Sequence, residues 1–133
     1  MEHMKVIVRY TDGRMIKGYT GDFFPHKDRF HVYPVDKSDG DTIEIFMNAL
    51  KAVFFVRDFV GNATFDERKK YVEGEDLSGQ KVKVTFVDDE VMVGSTLGFD
   101  QSRPGFFLFP ADSKSNNIRV YILSSAVKKM QFF

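Results

Sequence analysis

Apolar and polar residues alternate along the chain in two places, 76 residues apart. Val6, Val8 and Tyr10 interleave with Lys5, Ile7 and Arg9, while Val82, Val84 and Phe86 interleave with Lys81, Lys83 and Thr85. A period of two is the mark of a half-buried strand. A turn follows each run. Asp12-Gly13 is a strong hairpin signal, and Asp88-Asp89 a weaker one, because Asp accepts a left-handed backbone less readily than Gly. The pattern predicts further strands over Met15–Phe23, Arg29–Pro34, Thr42–Met47 and Ala52–Val56. It repeats them over Val91–Phe99, Gly105–Pro110, Asn117–Leu123 and Lys129–Phe133. Gly18 and Gly94 interrupt the second strands, as a bulge, a sharp bend or a close backbone approach requires, and a bend in a small barrel is the expectation. Pro34 and Pro110 lack the N–H a ladder needs, so the third strands end, bulge or lie at an edge there.

The two halves are copies. Shifted by 76, Lys5–Asp36 aligns with Lys81–Asp112 without a gap, and 10 of these 32 positions are identical. The identities include Gly18/Gly94, Thr20/Thr96, Phe30/Phe106 and Pro34/Pro110. Five short strands in each copy, bent at a glycine, describe a small barrel whose closure would remove exposed edges. Between the copies, Thr64 and Glu67 have the spacing of a capping box and predict a short helix over about Phe65–Tyr71. The expected organisation is all-β: a first five-stranded small barrel over residues 1–60, a linker with a short helix over 61–80, and a second barrel over 81–133.

Composition narrows the function classes. Hydrophobic residues make up 43% of the 133 and charged residues 29%, which suits a globular chain. Fifteen Phe and no Trp imply aromatic cores. Without Cys, disulfides and thiolate zinc sites are excluded, and a cytoplasmic setting is expected. No apolar run has the length of a membrane span, and no membrane association is expected. The charge is 19 against 19. Residues 5–56 carry 8 basic and 7 acidic side chains, 57–80 carry 4 and 6, and 81–133 carry 7 and 5. Nucleic-acid binders cluster Lys and Arg to neutralise phosphate, and no segment here does so strongly.

Catalytic chemistry finds little to rest on. His3, His26 and His31 form no spaced pair with carboxylates, so neither a metal nor another cofactor is expected. "GYTGDF" lacks the Gly-Lys-Ser/Thr of a phosphate loop, and Asp88, Asp89 and Glu90 read as a solvated hairpin tip. The best polar candidate for a binding loop is "DSKSNNIR", in which Lys114, Asn116, Asn117 and Arg119 could meet phosphate or bases beside Phe107 or Phe109. Its competing role is turn chemistry, which Asn-Asn suits. On the third strand, His31 and Tyr33 of the first copy become Phe107 and Phe109. Two more exposed Phe would forgo about 2 kcal/mol of burial each, so Phe107 and Phe109 are expected at an interface with the first copy, the linking helix or another subunit.

The run "DGRMIKGYTGDF" (Asp12–Phe23) resembles the first signature of the Sm-like proteins, and Phe99-Asp100 keeps its last element. "FFVRDFVGN" (Phe54–Asn62) loosely resembles the second signature, with Asp58 where the family has glycine. The Asn that helps hold a base in that family has no counterpart in Gln101–Gly105. The resemblance therefore implies an Sm-like or SH3-like barrel rather than a uridine pocket. The whole chain is also similar to an uncharacterised bacterial tandem small-barrel family, through "LKAVFFVRDFVGN" (Leu50–Asn62) and "PGFFLFPADSKSNN" (Pro104–Asn117). The expectation is a non-catalytic binding or scaffolding module that engages a protein partner or itself. Sm-type RNA binding is the alternative.

Overall fold

The computed structural model describes residues 3–35, 40–60, 79–97, 99–100, 102–112 and 114–133. The first copy forms β1 (Met4–Tyr10), β2 (Met15–Thr20), β3 (Arg29–Pro34), β4 (Ile43–Phe46) and β5 (Leu50–Val56). The second forms β6 (Gln80–Phe86), β7 (Val91–Thr96), β8 (Gly105–Pro110), β9 (Asn117–Leu123) and β10 (Val127–Phe132). A single 3-10 turn precedes the last strand of each copy, η1 (Met47–Ala49) and η2 (Ser124–Ala126).

All ten strands join one antiparallel sheet in the order β10-β6-β7-β8-β9-β5-β1-β2-β3-β4. The sheet does not close, so the expected pair of closed barrels is not what the ladder shows. The reason lies in one pairing: β9 hydrogen-bonds to β5 of the first copy, which leaves β4 and β10 as the two margins. The helix expected over Phe65–Tyr71 lies outside the described residues.

The second strands end at Thr20 and Thr96, three residues earlier than their apolar pattern predicts. There the identical threonines substitute side chain for ladder. Thr20 Oγ1 donates to the His31 carbonyl at 2.9 Å, and Thr96 Oγ1 donates to the Phe107 carbonyl at 2.8 Å. Gly18 and Gly94 sit opposite Pro34 and Pro110 in the ladder. A Cβ at either glycine would collide with the backbone of the third strand, at the carbonyls of Tyr33 and Phe109. Close approach to the third strand is thus what these glycines provide, where a bend was the expectation.

Two cores result, and β5 is a wall of both. Val53 and Phe55 point into the first core with Val6, Val8, Phe30 and Ile45. Ala52, Phe54 and Val56 point into the second with Val82, Val84, Phe86 and Leu108. β9 does the converse, sending Tyr121 and Leu123 into the first core and Val120 and Ile122 into the second. Every residue of β5 is buried, whereas its counterpart β10 is exposed or half-buried throughout.

Candidate functional site

The seam between β5 and β9 is the most elaborate place in the molecule. Its ladder pairs Ala52 with Ile122, Val53 with Tyr121 and Phe54 with Val120. Aromatic rings from both copies close its first-core side. Tyr121 stands edge-on to Phe23 at 5.4 Å between centroids and to Phe107 at 5.0 Å, and Phe107 lies 6.3 Å from Phe55. These separations are those of favourable edge-to-face pairs. Gly105 makes room for the arrangement: a Cβ there would sit 2.7 Å from the Tyr121 ring. Arg119 covers the cluster, its guanidinium 4.6 Å from the Phe55 ring centroid and 4.9 Å from that of Phe107.

A polar clasp holds each end of the seam. At the start of β5 the register with β1 skips Lys51, placing this residue in a bulge that re-aims its side chain. The buried ammonium meets Asp88 at 2.7 Å and Glu90, both on the β6–β7 turn of the other copy, and lies 4.6 Å from the Phe86 ring. The Lys51 hydrogen bond, aided by the Glu90 backbone N–H, holds the Asp88 carboxyl below its ordinary range. Asp89 between them adopts the left-handed conformation, φ 71°, that Gly13 takes at φ 95° in the first copy. The turn read as a solvated tip is therefore half spent on the seam.

The other clasp consumes the candidate binding loop. Asn116 Nδ2 donates to the Asp58 carbonyl at 2.8 Å, and the Asp58 N–H returns a bond to Asn116 Oδ1 at 3.1 Å. The Arg57 N–H reaches the Asn116 carbonyl at 2.9 Å, while Arg57 Nε reaches the Ser115 carbonyl at 3.2 Å. Asn117 pairs with Val56 in the ladder. Of the four residues singled out in the sequence, Asn116, Asn117 and Arg119 thus lie in the seam, and Lys114 stays exposed. Phe107 packs on the first copy; Phe109 is half-buried opposite Ser95 on β7. Sequence reasoning missed Lys51, because a bulge leaves no mark on an alternating pattern.

At the free margin of the first copy, the positions equivalent to Phe107 and Tyr121 are His31 and Glu44. His31 Nδ1 lies 2.7 Å from Asp22 and Nε2 lies 3.4 Å from Glu44. The Asp22 hydrogen bond, with Glu44 assisting, raises the imidazole above its usual pKa despite some desolvation. Burial pushes Asp22 up, but hydrogen bonds from the His31 backbone and ring and from Thr20 outweigh it and hold the carboxyl low. Among the described residues, no three His, Asp or Glu side chains converge as metal ligands.

Fold and seam together define an all-β protein made of a duplicated five-stranded unit joined edge to edge. The chain belongs to the family of unknown function DUF6982, whose model matches residues 2–133. No Sm-like or SH3-like family matches with it. No curated protein and no solved structure matches the chain. The two phrases that carry the resemblance to tandem small-barrel proteins face each other here: β5 with Arg57 and Asp58 comes from one, and β8 with Ser115, Asn116 and Asn117 from the other.

Proposed function

We propose that the chain is a non-catalytic binding or scaffolding module built from a duplicated Sm-like/SH3-like five-stranded unit, acting in the cytoplasm through its two open strand margins. The observation that carries this reading is the seam itself: a fourth strand of this repeat binds a fifth strand of this repeat, and one of each is left over. The simplest occupant of the margins is a second copy, in a head-to-tail contact. If the seam's register repeats, Gln131 on β10 of one molecule stands opposite Ile43 on β4 of the next, just as Phe54 stands opposite Val120. β10 carries Lys129 and Lys128, the latter held by Asp89 at 3.0 Å, and β4 carries Glu44, 3.7 Å from Arg29.

Light scattering on a sizing column, run from micromolar to millimolar protein at low salt, tests it. The expected mass rises with concentration above the 15.3 kDa of one chain. A mass of 15.3 kDa throughout would remove self-pairing. Retention of uridine-rich oligonucleotide under the same conditions would favour the RNA-binding alternative instead.

A further inference from the structure

The outer face of the first copy carries a row of rings beside two lysines. Lys5 on β1, Tyr19 on β2 and Tyr33 on β3 are successive ladder partners, so their side chains share that face. Lys17, two residues before Tyr19, shares it too. Tyr19 is 36% exposed and Tyr33 42%. Phe59 stands edge-on to Tyr19 at 5.3 Å between centroids, and His3 lies 5.5 Å from Tyr33. Beside Tyr33 a hollow of about 300 Å³ opens, lined by His3, Gly21, Asp22, His31, Tyr33 and Thr42. The second copy lacks the row: Lys17 and Tyr19 become Val93 and Ser95, both buried, and Tyr33 becomes the half-buried Phe109.

Charge is divided along this face. Lys5 Nζ donates to the Arg57 carbonyl at 3.4 Å, and Lys17 Nζ donates to the Phe59 carbonyl at 3.1 Å. Neither ammonium forms an ion pair among the described residues. At the hollow the balance is opposite: Asp22 lies 2.7 Å from the His31 ring, and Glu44 approaches the same ring at 3.4 Å. Exposed rings call for a flat ligand, and cations without carboxylates call for an anionic one. The carboxylates at the hollow keep that anion at the lysine end. We infer that this face binds a nucleotide unit, its base against Tyr33 in the hollow and its phosphate at Lys5 and Lys17. Two strand spacings, roughly 10 Å, separate Tyr33 from Lys5, a span that a base with its sugar phosphate bridges. The same chemistry belongs to a free nucleotide and to one residue of a single strand. Thr42 and Glu44 border the β4 margin, yet the ligand needs neither margin paired. Self-pairing is read from the mass of the bare chain, so either reading can fail alone.

Fluorescence anisotropy of fluorescein-labelled hexaadenylate on the intact chain at low salt is the test. The hexamer binds saturably, and an abasic hexamer with the same phosphates binds at least about fivefold more weakly. Tyr33→Leu removes the ring and Lys5→Glu reverses the charge, both at exposed positions. Each weakens binding at least about fivefold with an unchanged thermal melt, whereas Tyr33→Phe and Lys114→Glu keep the parent affinity. Displacement of the hexamer by AMP identifies a free nucleotide as the ligand, resistance to AMP identifies a strand, and both uphold the site. No saturable binding with protein at millimolar concentration would overturn the proposal. So would equal affinity for the abasic hexamer, or binding unchanged in both Tyr33→Leu and Lys5→Glu. Affinity lost in Lys114→Glu but kept in Tyr33→Leu would place the ligand at the Asp112–Arg119 loop and overturn it too.

Discussion

The seam and the free margin of the first copy are the same place in the repeat, built for opposite ends. Where the seam has Phe107 and Tyr121, the margin has His31 and Glu44. Where β5 offers Ala52 and Phe54, β10 offers Lys129 and Gln131. One side of the repeat thus buries rings and aliphatic groups, and the other keeps charges in water. Charged and polar groups on an edge strand discourage indiscriminate pairing. The two edges thus differ in side-chain chemistry on a shared strand register.

Transplanting the margin into the seam has the largest expected effect. The double variant Phe107→His, Tyr121→Glu puts an imidazole and a carboxylate where two rings are packed. It is expected to cost about 3–5 kcal/mol in a urea melt, from lost ring burial and from taking polar and charged groups out of water. A cost under about 1 kcal/mol would deny the seam its role. The reverse transplant, His31→Phe with Glu44→Tyr, gives β4 the seam's surface. Sedimentation is expected to show stronger self-association than in the parent chain.

The clasps come next. Lys51→Met keeps the apolar stem, removes the ammonium that Asp88 and Glu90 share, and leaves Glu90 only Arg9 at 3.5 Å. Because both carboxylates are about half-exposed, the loss is expected near 1–2 kcal/mol, below that of a fully buried pair. Asp88 contributes above its unfolded pKa, so this part of the stability fades as pH falls through its lowered folded value. The parent and Lys51→Met melts should therefore converge in acid. Asn116→Ala removes the reciprocal bonds to Asp58 and is expected to cost about 1 kcal/mol in the same assay.

The smallest effect belongs to the margin itself. His31 should titrate above an ordinary histidine when followed by NMR, and Asp22→Asn should return it toward the usual value. Because its folded pKa is raised, His31 stabilises the fold below the unfolded pKa, and the contribution disappears as pH rises through the folded one. A ring that titrates normally in the parent chain would show that Asp22 does not hold it.

Much of this was legible in residues taken a few at a time. Alternation located β1 and β6, apolar runs located the other strands, and Pro34 and Pro110 closed the third strands, while the glycines facing them, expected as bends, serve the close approach of neighbouring backbones. Of the two extra Phe on β8, Phe107 packs on Phe23 and Phe55 of the first copy, whereas Phe109 is half-buried opposite Ser95 on β7 of its own copy. The polar loop read differently. Nothing in "SNNIR" says whether its amides face a ligand or a neighbouring strand, since the same groups serve both. Lys51 was silent for a related reason, its meaning depending on a turn 37 residues away.

Local chemistry, then, was determined by the sequence alone: the duplication, the strands, the turn tips, and which positions must leave water. The tertiary structure decided which strand each edge would meet. A fourth strand carries the same row of N–H and C=O groups whether it closes on its own repeat or on the neighbouring one. Only the packing of distant side chains, Tyr121 against Phe23 and Lys51 against Asp88, selects between these pairings and leaves β4 and β10 open.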